Sequence, residues 1–192
     1  MSTRSWIGME LQNGEIQYIY CHNDGDPNYN GILLLKHYSS LAKMAKLVKQ
    51  GWASVLRKHV GRKHDFDDPY KPKYRGRFKD IPAEKNGWTT FYIRDRDEDK
   101  IDCSSRINTF RQLINSCFES DAEFIYILTL SRGWVWFPND KNLPMSLDEC
   151  RPMTINSFIE WTRTSGHWIP ECVEGKVKDL EGERESIEGV KV

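Results

Sequence analysis

The sequence has no surplus of either charge: 28 Lys+Arg balance 28 Asp+Glu over 192 residues. That balance removes whole-molecule attraction to nucleic acid or an anionic membrane, while leaving room for a local patch. Runs of ~18 uninterrupted apolar residues are also missing, so no membrane-spanning helix is expected. Met1-Ser2-Thr3-Arg4-Ser5 enters a strand-like segment directly, without the ~7–15-residue apolar stretch of a signal peptide. The five cysteines (Cys21, Cys103, Cys117, Cys150, Cys172) are few, odd in number and never spaced CxxC, which favours reduced thiols over a disulfide scaffold or a zinc site. No GxSxG, Walker loop, HExxH or GxGxxG occurs, so the commonest hydrolase, nucleotide and dinucleotide signatures are excluded. These absences describe a cytoplasmic protein with no expected cofactor and no expected metal.

What is present fits one domain, since ~100–200 residues is the usual domain size. Residues 4–21 read as a β-hairpin: two runs rich in aromatic and β-branched residues flank Asn13-Gly14, the dipeptide that favours a type I′ turn. Ile32-Leu33-Leu34-Leu35 opens a helix. Leu41, Met44, Ala45, Leu47 and Val48 form the apolar face of a second, which Gly51 stops. Trp88–Arg94 reads as a strand by composition. A helix capped by Ser104 or Ser105 carries Ile107, Phe110, Leu113, Ile114 and Cys117. Glu123–Leu130 is nearly all apolar, the mark of a central strand covered on both faces, and Arg132-Gly133 turns it into Trp134–Phe137. Trp134 and Trp136 share a face, which reads as core packing before it reads as a ligand platform. Two hairpins with helices between them predict an α+β fold: an antiparallel sheet of about five strands with helices on one face. Residues 1–172 form that domain, and the charged stretch 173–192 is expected to be a flexible tail.

Three segments carry candidate chemistry. His22, Asp24 and Asp26 lie within five residues where a strand runs into a helix, enough to begin a divalent-metal site, although Asp in such a turn more often accepts backbone N–H bonds. Asp95-Arg96-Asp97-Glu98-Asp99 follows a strand, and its carboxylates would complete a phosphoesterase centre if Asp95 met His22 and Asp24; solvated charges neutralised by Arg94 and Arg96 are the simpler reading. Residues 57–80 hold nine Lys/Arg against four Asp, interleaved with Phe66, Tyr70, Tyr74 and Phe78, while Pro69 and Pro72 forbid a continuous helix. Such a long basic-aromatic loop suits phosphates and bases, or an acidic protein surface.

Arg4-Ser5-x-Ile7-Gly8, Tyr18-Ile19-Tyr20-Cys21-His22-x-Asp24-Gly25-x-Pro27-x-Tyr29-x-Gly31, and Leu34, His37 and Tyr38 together resemble an uncharacterised family of tailed-bacteriophage accessory proteins. Arg94-Asp95-Arg96 matches a further box of those relatives, so the resemblance spans about residues 3–55 and, more loosely, 88–137. Asn23 and Asp26 stand where relatives commonly carry Trp and Tyr, which weakens Asp26 as a ligand. The resemblance implies an accessory protein of the host cytoplasm that binds and inhibits a host protein, such as a restriction, CRISPR or nucleotide-signalling factor. Together with the basic-aromatic loop, which the resemblance does not reach, this reading has Tyr70, Lys73, Tyr74, Arg75, Arg77, His22, Asp24 and Tyr29 meet the partner, while Arg94 and Arg96 would line the ligand pocket of a nucleotide-sequestering protein. The alternatives are a nucleic acid held by the 57–80 loop, a metal-dependent phosphoesterase or nuclease on His22, Asp24 and Asp95, or a nucleotide-sequestering protein.

Overall fold

The computed structural model describes residues 2–67, 87–98, 104–140, 143–168 and 170–188. Ser5–Glu10 (β1) and Ile16–Cys21 (β2) form the first hairpin, in register from Ser5↔Cys21 to Glu10↔Ile16. Its turn is not type I′, because Gly14 alone takes positive φ (83°) and Asn13 does not. Gly14 N–H donates to Leu11 O, giving the three-residue turn that ends on a left-handed glycine. A single π-type turn, Pro27–Gly31, then leads into α1 (Ile32–His37), followed by α2 (Leu41–Val48) and β3 (Ala53–Val55).

After the undescribed stretch come β4 (Thr90–Phe91), the short helix α3 (Tyr92–Arg96), β5 (Ser105–Ile107) and α4 (Phe110–Glu119). The second hairpin pairs β6 (Phe124–Thr129) with β7 (Gly133–Pro138), and β8 (Arg151–Pro152), α5 (Ile155–Thr164) and α6 (Pro170–Glu188) complete the chain.

The class is α+β, but the expected antiparallel five-stranded sheet is corrected to a mixed sheet of eight strands among the described residues, in the order β4-β3-β2-β1-β6-β7-β8, with β5 on β2. Two pairs are parallel. β1 and β6 run together from Ser5↔Phe124 to Met9↔Leu128, and β2 meets β3 at Cys21↔Ala53 across the α1–α2 connection. The reason is geometric: each hairpin sets its own antiparallel direction, whereas the edge by which two hairpins join is decided by packing. When β1 and β6 are the joined edges, the join is parallel. β3 and β5, three residues each, are too short to announce themselves by alternation.

Helices also cover both faces rather than one. Strand parity sorts the side chains. Ile7, Met9, Ile19, Cys21, Phe124, Tyr126, Leu128, Trp134 and Trp136 point into a core closed by α1, α2, α5 and α6. Trp6, Ile16, Ile125, Ile127, Val135 and Phe137 point the other way, against Leu113, Ile114 and Cys117 of α4. Trp134 and Trp136 are therefore core residues, Trp136 edge-to-face with Phe158 at 5.0 Å.

Two local expectations change for stated reasons. The strand expected over 88–94 shrinks to two residues because the Asp95 carboxylate accepts the Phe91 N–H at 2.8 Å and starts a helix there. The helix expected from Ser104 begins instead at Thr109, whose side chain accepts Gln112 N–H while Gln112 returns the bond, and this leaves 105–107 to pair with β2.

The stretch from 173, where a mobile tail is expected, continues α6 to Glu188, with Val177 and Leu180 buried against α5 and the first core. Val173, Val177 and Leu180 of α6 lie three or four residues apart among mostly polar neighbours, so its composition conceals a narrow docking stripe. Leu180→Ala is expected to cost about 2–5 kcal/mol, the range for emptying a buried leucine site. Urea unfolding checks this; an unchanged midpoint would mean that α6 is not docked.

Candidate functional site

The Cys21–Gly31 box sits at one end of the sheet, where β2 and β3 finish and β1 and β6 begin. His22 N–H and Asn23 N–H extend the β2–β3 ladder by donating to Ala53 O and Ser54 O, both at 3.0 Å. Asp24 then reverses the chain in the left-handed region (φ 58°), a conformation that Asp tolerates better than most residues. Gly25 is required by close approach: a Cβ there would lie 2.6 Å from the Arg4 carbonyl carbon and 2.8 Å from its oxygen. Its N–H donates to Thr3 O at 2.8 Å, and its carbonyl accepts the buried Tyr126 hydroxyl at 2.8 Å. Asp26 accepts Asn28 N–H at 3.0 Å, and the fully buried Asn30 amide donates to Ser5 Oγ at 3.1 Å. Most of the polar residues of this box thus tie a turn onto the start of β1.

Burial pushes the Asp26 carboxyl up from its ordinary range, with Lys176, 4.0 Å away, opposing the shift. Burial likewise raises the thiols, Cys21 to about 11 and Cys117 and Cys150 to about 12, so none of the three is a thiolate at neutral pH.

The side chains expected to converge diverge. His22 lies with Tyr20 on the α4 side of the sheet, its Nδ1 3.1 Å from the Tyr20 hydroxyl. Asp24 turns toward Arg57, 3.7 Å away, and Arg57 in turn hydrogen-bonds the Tyr29 hydroxyl with its guanidinium 5.4 Å from that ring's centre. Asp95 is fully buried. Its Oδ1 accepts Arg94 Nε at 2.8 Å and His64 N–H at 3.1 Å, and its Oδ2 accepts Arg94 Nη2 at 2.9 Å and Phe91 N–H at 2.8 Å. Among the described residues no group of three or more His, Cys, Asp or Glu is placed to hold a metal ion, so His22, Asp24 and Asp95 do not form the ligand set their sequence suggests.

Arg94 is spent on the same latch. Beyond Asp95 it donates to Val60 O at 2.7 Å and Thr89 O at 2.6 Å, pinning the 57–66 stretch to β4 and α3. His64 completes the tie through Thr90 Oγ1 at 3.0 Å. Arg96 stays half exposed, 5.0 Å over the Phe66 ring and 3.2 Å from Glu98. Tyr70, Lys73, Tyr74, Arg75 and Arg77 lie outside the described residues.

Two groupings escape the linear reading. Arg57, read only as one cation of the basic segment, joins that segment to the box through Asp24 and Tyr29. Trp6, Tyr18, Tyr20 and Trp52 line a cleft on the α4 side of the sheet. The alternation Tyr18-x-Tyr20-x-His22 signals that row, since residues two apart on a strand share a face. Comparison with protein-family models, curated proteins and solved structures finds no match to the chain. No helix among the described residues is long and apolar enough to cross a membrane.

Two substitutions test this electrostatic account. Asp95→Asn removes the buried partner of Arg94 and is expected to cost about 3–5 kcal/mol in urea unfolding. Asp26→Asn should do the opposite at pH 7. Because burial raises the native carboxyl above its unfolded value of 3.8, the ionised form weakens the fold at neutral pH, and an amide keeps the acceptor without that cost. The gain should shrink to nothing as pH falls through the raised native value and below 3.8, which paired pH–stability curves would show.

Proposed function

We propose that this protein is a non-enzymatic binder whose contact surface is the Asp24–Tyr29–Arg57 corner together with the basic-aromatic segment that begins at Arg57. On the strength of the resemblance in its sequence motifs, the partner is a host-cell protein in the cytoplasm of an infected bacterium, and binding blocks that protein's action. One observation carries the reading. Tyr29 is 38% exposed on a turn held rigidly to β1 and β6, with the Arg57 guanidinium seated against it. Tyrosine and arginine are the residue types most often found as interface anchors, and a pre-positioned pair loses little side-chain freedom on association. The groups an enzyme would need are otherwise engaged: Asp95 in its latch and His22 with Tyr20.

The test is affinity capture by the intact tagged chain from bacterial host lysate, followed by binding measurements with the recovered partner. A stoichiometric protein partner is expected, held at least tenfold more weakly by Tyr29→Ala and by Arg57→Ala, with both variants melting near the parent temperature. A partner bound equally well by both variants would remove the corner from the mechanism. Capture abolished by nuclease treatment would favour the nucleic-acid reading instead.

A further inference from the structure

On the face opposite α1, α2, α5 and α6, a cleft of about 330 Å³ opens between Trp6, Tyr18, Tyr20, Trp52, Ser105 and Asp121. It shares no residue with the Asp24–Tyr29–Arg57 corner. We propose that this cleft is a binding site for a neutral, flat heteroaromatic ring of the nucleobase kind.

The walls are rings, and they are already in place. Trp6 stacks on Tyr18 with centroids 4.6 Å apart and planes 25° from parallel, and Tyr20 is held between Trp52 at 5.3 Å and His22 at 6.0 Å. Trp6 is only 7% exposed, so its position is set by the core and not by solvent. Walls fixed before the ligand arrives avoid the ordering cost that weakens binding to mobile side chains. The volume lies at the lower end of the range for small-molecule sites, which suits one ring system and not an extended chain.

Charge decides between ligand classes. A cation would be drawn to the ring faces and to Asp121, but that carboxylate already lies 3.0 Å from Arg4 Nε, so an incoming cation must displace a bound guanidinium. No lysine or arginine is among the described residues lining the cleft, and a phosphate would have to compete with Asp121 for the neighbouring Arg4. A neutral ring breaks neither arrangement. It stacks on the aromatic faces, while the Ser105 hydroxyl and the Asp121 carboxylate offer polar atoms to its edge.

The experiment titrates adenosine and guanosine into the full-length protein, following the indole N–H resonances by NMR. Saturable shifts at Trp6 and Trp52, with the buried Trp134 and Trp136 unmoved, are expected. Trp52→Leu and Tyr20→Leu, each first shown to melt near the parent temperature, should weaken the nucleosides at least tenfold, and adenosine monophosphate should bind no tighter than adenosine. The proposal is overturned if neither nucleoside saturates up to its solubility limit, if both leucine variants retain parental affinity, or if choline binds the cleft more tightly than the nucleosides.

Discussion

The parallel ladder between β1 and β6 is the constraint on which the rest depends. It joins two hairpins more than a hundred residues apart, from Ser5↔Phe124 to Met9↔Leu128, and it brings the starts of both strands to one end of the sheet. There Arg4 O accepts from Glu123 N and Phe124 N, and the Tyr126 hydroxyl reaches across to Gly25 O. The turn that carries Asp24 and Tyr29 is therefore anchored to the centre of the fold and not only to the strand that precedes it. The same ladder divides the side chains of β1 and β6 between two cores, one under four helices and one under α4.

Around this frame most motif-like polar residues are structural. Asp95 is the sharpest instance. A fully buried carboxylate is strongly disfavoured unless charge and hydrogen bonds surround it, and here a bidentate guanidinium and two backbone N–H groups do so. What this supplies is position: the stretch leading out of β3 is held against β4 and α3. Asp26 works similarly on a smaller scale, accepting a turn N–H at the expense of burying a charge. Among the described residues, the Tyr29–Arg57 pair and the aromatic row beginning at Trp6 take no part in these latches.

The strands of both hairpins, α1, α2 and the two-sided burial of β6 were legible because their signals are local: aromatic and β-branched runs, a glycine turn, a 3.6-residue stripe. Short elements were not. β3 and β5 owe their existence to a neighbour's unpaired edge and not to their own composition, while β4 keeps only two residues of the strand that 88–94 suggests. The polar composition of 173–188 hides the stripe through Val177 and Leu180 that docks α6, because two well-placed apolar residues hardly alter an average. In the candidate site, Tyr29 and Asp24 could be named from the chain, whereas Arg57 could not, since its role is defined by a contact across 28 residues.

The amino-acid order by itself determined the α+β class and the longer local elements, because these are governed by backbone preference and by periodicity within a dozen residues. Tertiary structure alone decided that the sheet is mixed, that helices cover both faces, that His22 and Asp24 take different partners, and that Asp95 is a buried latch. Those outcomes depend on which edges and faces meet across long stretches of chain, and no local spacing encodes a direction of approach between surfaces so far apart in sequence.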